Sequence, residues 1–268
     1  MSPLAIPVGL LTATAYLDAR FHIGHDVHLG WAAGRGWMTK TWRERRDRLN
    51  LFYTLESYAR SRSTAGKDFL AYEGKTWTYR EAFDIVLRYG CWLKEKYGVK
   101  PKEIVAMDLM NSPQFIFLWI GLWSIGACPA FINYNLRGEP LKHCIKISTA
   151  RLLFVDEALR ENLSPSIEEW VADWDGSKAW KPVKTIFLTP QVDLEISSAQ
   201  GRRPPDDLRN GVASHDMAAL IYTSGTTGMP KAAIVSWGKV SMGSTFVTTW
   251  YGLKPGDNFY TVSLCPSL

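Results

Sequence analysis

The sequence predicts an α/β fold with mainly parallel sheets flanked by helices. Three observations carry that expectation. Short apolar runs of strand length recur along the chain, at 104–109, 131–132, 152–155, 185–188 and 218–222. Segments with helix-start signals and helical apolar spacing lie between them, and such alternation builds parallel sheets. The chain has 268 residues, 46% hydrophobic and 21% charged, which suits a sizeable core and argues against general disorder.

The elements follow in order. Residues 69–72 read as a strand, Glu73-Gly74-Lys75 as a turn and Thr76-Trp77 as a second strand. Thr78 and Glu81 stand three apart, the pattern of a capping box. The helix they open has apolar positions at Phe83, Val86, Leu87 and Leu93, and Gly98 followed by Pro101 ends it. Residues 104–109 make a buried strand. Ser112 then caps a helix with Pro113 at its first position, expected to run to about residue 127. That helix is apolar on almost every face and too short to span a bilayer, so it belongs to the core. Further on, 131–132 is a short strand, 138–148 a helix, 152–155 a strand, 157–174 mostly helix and 185–188 a strand. Residues 190–215 are polar, contain Pro204-Pro205 and read as a loop or linker. Strands at 218–222 and 232–235 flank a glycine-rich loop. A helix over 239–251 and a strand starting at 259–262 complete the pass.

Net charge is +5, unevenly spread. Arg35, Lys40, Arg43, Arg45, Arg46 and Arg48 face only Glu44 and Asp47, and Trp31, Trp37 and Trp42 are interleaved with them. Two readings fit residues 1–50: an amphipathic segment lying on an anionic membrane surface, or a solvated helix face whose tryptophans pack inward. Nucleic acid is not expected as a partner, since no nucleic-acid motif accompanies the charge. The first 17 residues are apolar but contain Pro3 and Pro7 and fall short of the roughly 20 needed to cross a bilayer. Cys91, Cys128, Cys144 and Cys265 are widely spaced, which predicts reduced, buried thiols in an intracellular protein. His22, His25 and His28 recur every third residue around Asp26. Zinc is one reading and incidental spacing the other, and no metal site is expected from them.

The densest chemical signal is Tyr222-Thr223-Ser224-Gly225-Thr226-Thr227-Gly228-Met229-Pro230-Lys231. Hydroxyls and backbone amides crowd together, the glycines let the backbone approach an anion closely, and Lys231 adds a positive charge. This is not the Walker A pattern, which has four residues between its glycines and a Ser or Thr after its Lys. Here two residues separate Gly225 from Gly228, and Ala232 follows Lys231. A strand on each side makes the run a phosphate holder rather than an ordinary polar turn.

Residue for residue, this run resembles the nucleotide-phosphate loop of the adenylate-forming (AMP-binding) superfamily, which includes acyl-CoA synthetases, peptide-synthetase adenylation domains and luciferases. Phe131-Ile132-Asn133-Tyr134-Asn135-Leu136-Arg137-Gly138, Leu141-Lys142-His143-Cys144-Ile145 and Asn111-Ser112-Pro113-Gln114-Phe115 are similar to one branch: the fatty-acid transport protein and very-long-chain acyl-CoA synthetase family. Residues 16–25 resemble its fungal members. The resemblance implies that residues 51–268 are the N-terminal portion of the large adenylate-forming domain. It also implies two-step chemistry. A fatty acid carboxylate attacks the α-phosphate of ATP, giving an acyl adenylate and pyrophosphate, and CoA then forms the thioester. ATP, Mg²⁺ and CoA are the implied cofactors, and a fatty acid and a membrane surface the implied partners. By the same resemblance Tyr222, Thr223, Ser224, Gly225, Thr226, Thr227, Gly228 and Lys231 bind the nucleotide, and no catalytic residue is assigned. The expected location is an intracellular membrane: endoplasmic reticulum, peroxisome, lipid droplet or plasma membrane. Segments that family members carry after the phosphate loop, for adenine, ribose and the acyl tunnel, have no match here, and the C-terminal domain is expected to be absent. Two functions follow as expectations: a fatty acyl-CoA synthetase-like protein serving fatty-acid uptake or a specialised biosynthetic pathway, or a truncated, catalytically inactive, membrane-associated remnant of one.

Overall fold

The structure, a computed structural model, describes residues 5–163, 183–223, 229–254 and 256–260. The chain opens with three helices, α1 (Ala5–Phe21), α2 (Ile23–Arg45) and α3 (Phe52–Arg60). A hairpin follows, β1 (Asp68–Tyr72) paired antiparallel with β2 (Lys75–Thr78). Its two turn residues, Glu73 and Gly74, both have positive φ (48° and 78°), the geometry whose twist matches a two-residue hairpin. Thr78 and Glu81 form the expected capping box at the head of α4 (Tyr79–Tyr97), and Gly98 closes that helix in the left-handed conformation.

After β3 (Ile104–Asp108), Ser112 accepts from the Phe115 amide and Pro113 starts α5 (Pro113–Ser124). This helix ends three residues before the expected residue 127. Gly126 turns the chain at φ 76°, and a Cβ there would lie 2.0 Å from the Leu208 carbonyl oxygen, so only glycine fits. The early turn also moves the next strand: β4 is Cys128–Phe131 rather than 131–132. Then come α6 (Gly138–Ser148) and β5 (Leu152–Asp156). Of the helix expected over 157–174, the part at Glu157–Asn162 is a 3-10 helix, and residues 164–182 lie outside the described residues. The sheet continues in β6 (Lys184–Leu188).

The stretch 190–215 is not the loop its polarity suggests. Pro190–Ser198 is a helix, α7, with Pro190 in its first turn and the Thr189 hydroxyl accepting from the Val192 amide. The remainder is a strap bound to the core. Arg209, buried, lies 4.5 Å from the Phe52 ring centroid and donates to the carbonyls of Ser124 and Pro204. Arg203 pairs with Glu56, and Arg48 and Arg203 both pair with Asp206. The last elements are β7 (Met217–Thr223), β8 (Lys231–Ser236) and α8 (Trp237–Trp250), the helix capped by Ser236. Phe259 and Tyr260 are not in a strand, and residues 261–262 lie outside the described residues.

Six strands make one sheet in the order β6-β5-β3-β4-β7-β8. The first five run parallel, and β8 returns antiparallel against β7. Alternating side chains divide the core between the two faces. Val105, Met107, Phe131, Phe154 and Ile186 pack with α4, α5 and α7 on one. Ala106, Ala130, Leu153, Val155, Leu220 and Tyr222 pack with α6 on the other. Helices on both faces of a mainly parallel sheet are the architecture expected from the sequence.

The tryptophans of α2 do not pack inward. Trp31, Trp37 and Trp42 are 57%, 60% and 54% exposed, while the small residues Ala32 and Gly36 of the same helix are buried. The reason is contact with α8. A Cβ on Gly36 would stand 3.0 Å from the Met242 carbonyl oxygen, so the two backbones approach closely only at small residues. Arg43 reaches the Ser241 hydroxyl at 3.1 Å, and Glu44 accepts from the Ser214 amide at 2.7 Å. His25 and His28 lie against the Trp250 ring, each 5.0 Å between centroids, and His22 sits at the turn between α1 and α2 with φ 53°.

Candidate functional site

A parallel sheet gathers its strand ends on one edge, and β7 delivers the glycine-rich loop to it. Tyr222 and Thr223 are the last two residues of β7, and Lys231 is the first of β8. Thr223 and Lys231 are register partners across the hairpin mouth, and the Thr223 hydroxyl lies 3.5 Å from the Lys231 carbonyl oxygen. Ser224, Gly225, Thr226, Thr227 and Gly228 lie outside the described residues. Lys231 is exposed and forms no ion pair among the described residues, so its ammonium is available to an anion. Tyr222 points into the core instead. Its hydroxyl donates to the Cys144 carbonyl of α6 at 3.1 Å, and burial pushes its phenol well above the ordinary tyrosine range. It therefore ties the end of β7 to α6.

The same edge carries groups that the sequence did not single out. Asp108 ends β3, the third strand of the sheet's order, beside Val155 of β5. It is 1% exposed, and neither carboxylate oxygen has a hydrogen-bond partner. Burial pushes its carboxyl up to about 7, with the charge of Arg137 opposing and that of Asp156 adding. The signal in the sequence is a lone aspartate within an apolar run. The turn from β4 to α6 lies at this edge too. The Asn133 side chain accepts from the Asn135 amide at 3.0 Å, and Arg137 donates to the Tyr134 and Leu136 carbonyls. Phe131 to Gly138 is thus a self-bonded turn that sets the start of α6.

Among the described residues the thiols take no part, and Cys265 lies outside the described residues. Cys91, Cys128 and Cys144 are free and buried, and burial raises Cys128 to about 11 and Cys144 to about 12, which keeps both protonated. Among the described residues there is no group of three His, Cys, Asp or Glu side chains that could hold a metal ion.

A mainly parallel α/β sheet with a hairpin mouth on its carboxyl edge places the chain in the class of α/β proteins that collect ligands at that edge. Within that class the chain belongs to the AMP-binding enzyme family, whose match covers residues 58–265. It is similar to the very long-chain fatty acid transport protein of Cochliobolus heterostrophus, 31% identical over 94% of this chain and 38% of that protein. The protein of the same description from Saccharomyces cerevisiae is 39% identical over 70% of this chain and 27% of its own length. Among solved structures, a long-chain-fatty-acid–CoA ligase from Archaeoglobus fulgidus aligns over 76% of this chain and 40% of that chain, with TM-score 0.60 and 19% identity, a likeness of fold. The chain spans well under half the length of these relatives and corresponds to an N-terminal portion of them. Its family is adenylate-forming and fatty acyl-CoA synthetase-like, and enzymes of the family use ATP and CoA.

Proposed function

We propose that this chain carries the phosphate-binding part of a site that activates long- and very-long-chain fatty acids as acyl adenylates on the way to acyl-CoA. In this reading Thr223, Ser224, Gly225, Thr226, Thr227, Gly228 and Lys231 hold the β- and γ-phosphates of ATP, and Tyr222 anchors the entering strand. The observation that carries it is position. The hairpin mouth stands at the carboxyl edge of the parallel sheet, where α/β folds collect their ligands, with Lys231 exposed and without an ion-pair partner among the described residues. Hydroxyls, close backbone amides and one available ammonium are the donor set a polyphosphate needs. When bound, ATP supplies the activated α-phosphate and the departing pyrophosphate. The chain's own residues bind and orient the phosphates and offset the charge that builds on them. Mg²⁺ enters with the nucleotide, and CoA is the second acceptor. Similarity to fatty acid transport proteins supports the choice of acid.

Residues 51–268 act in this reading as a partial adenylation domain, and residues 1–50 as a contact with an anionic intracellular membrane: endoplasmic reticulum, peroxisome, lipid droplet or plasma membrane. The outward face of α2 supports the contact. Val27, Trp31, Arg35, Met38, Trp42 and Arg45 follow the spacing of one helix face and are all exposed. Arg46 lies 4.7 Å from the Trp42 ring centroid. Aromatic rings with cations beside them suit the headgroup level of a bilayer. No helix among the described residues is long and apolar enough to cross a membrane, so the contact proposed is a surface one.

Acid-dependent ATP–pyrophosphate exchange, run across long and very long fatty acids, tests the activity. Exchange that requires the acid and disappears in Lys231→Ala is the expected result. A folded sample that exchanges with none of them overturns adenylation by this chain and leaves an inactive relative.

A further inference from the structure

Helix α6 carries His143-Cys144, a pair within the stretch that marks the family branch and one to which nucleotide chemistry gives no task. Both residues meet the hairpin that holds the loop, at opposite ends of it. On the exit side, His143 Nε2 lies 3.1 Å from the Pro230 carbonyl oxygen. A carbonyl only accepts, so Nε2 carries the hydrogen. Position 230 immediately precedes β8, so this contact is made where the chain enters the strand. On the entry side, the Tyr222 hydroxyl donates to the Cys144 carbonyl at 3.1 Å. The two strands are joined at the mouth by Thr223 and Lys231. The helix making both contacts is itself set firmly, with Leu141, Cys144 and Ile145 completely buried against the sheet.

We infer that α6 is a clamp on the mouth of the β7–β8 hairpin, and that His143 is a positioning residue that fixes where the backbone at Pro230 and Lys231 stands. This rests on reading residues 222–231 as the nucleotide loop. Adjacent residues of one helix grip both sides of the loop, so neither side shifts without the other. A hairpin mouth already in place loses little freedom when the anion arrives, which favours binding. His143 acts through the Pro230 carbonyl and the hairpin.

The test compares wild type, His143→Leu, His143→Gln and Tyr222→Phe in the full 268-residue chain. Gln keeps an N–H donor, whereas Leu and Phe remove one hydrogen-bonding group each. Hydrogen exchange is read at the amides of Thr223 and Lys231 without nucleotide, and ATP affinity is read by titration. The clamp predicts exchange about fivefold faster in His143→Leu and Tyr222→Phe, the equivalent of one net hydrogen bond, with β3 and β4 unchanged. ATP affinity falls by a similar factor in His143→Leu and returns in His143→Gln. Wild-type exchange in His143→Leu, or equal effects of Leu and Gln, overturns the clamp. If His143→Leu does not fold, Tyr222→Phe decides by the same exchange. A wild-type chain that binds no ATP sinks the nucleotide reading instead, and the exchange data still judge the clamp.

Discussion

Asp108 and Lys231 show two opposite treatments of charge at one sheet edge. Lys231 is left in solvent, whereas Asp108 is buried with both oxygens unpartnered. The carboxyl of Asp108 titrates near 7 in the folded chain and from the ordinary value of 3.8 in the unfolded one. Well below pH 3.8 both states hold the proton and the charge-dependent penalty of Asp108 vanishes. Between about pH 4 and 7 the unfolded state releases it first, so stability falls as pH rises, and above pH 7 the penalty is constant. The shift corresponds to about 4 kcal/mol, and an unpaired amide would take back about 1–3 kcal/mol. Asp108→Asn is therefore predicted to be about 1–3 kcal/mol more stable than wild type at pH 8. The gain should shrink steadily toward pH 4, as paired urea titrations would read. An equal gain at both pH values would mean that the charge is not the cause.

The elements were legible where local chemistry decided them. The Thr78–Glu81 box, Ser112 with Pro113, and Gly98 each set an end of a helix, and those ends stand where the residues put them. Long-range contacts decided the rest. Gly126 ends α5 early because the backbone at Leu208, far along the chain, passes too close for any side chain. Gly126→Ala should cost several kcal/mol through strain at positive φ and that clash, seen as a large drop in Tm. A drop no larger than that of an ordinary surface change would refute it. Residues 190–215 read as a loop from their polarity, but polarity alone does not make a segment loose. The Thr189-Pro190 start signal was there to be read, but burial of Arg209 among Phe52, Tyr53 and the Ser124 carbonyl depends on contacts that no local pattern announces. At the site, the phosphate-holding run was visible in the sequence. Asp108 and the His143–Pro230 contact were not, because each depends on which strand or helix ends up beside it.

At the scale of the molecule, α2 turns its small residues toward α8 and its tryptophans outward, the reverse of a helix that merely covers a core. If that face meets an anionic bilayer, Arg35→Gln and Arg45→Gln should each weaken binding to phosphatidylserine vesicles about fivefold, and added salt should weaken it further. Equal binding to neutral vesicles would contradict the charge argument. The sheet meanwhile brings its parallel strands to one edge, and everything proposed for nucleotide depends on the hairpin mouth there. The most direct measurement is calorimetric titration of the purified chain with MgATP, wild type against Lys231→Ala. Binding by wild type and a loss of at least about tenfold in the variant are expected, since a charge-assisted contact to phosphate is removed. Equal affinity in both, or no binding by a folded wild-type chain, would contradict the nucleotide reading.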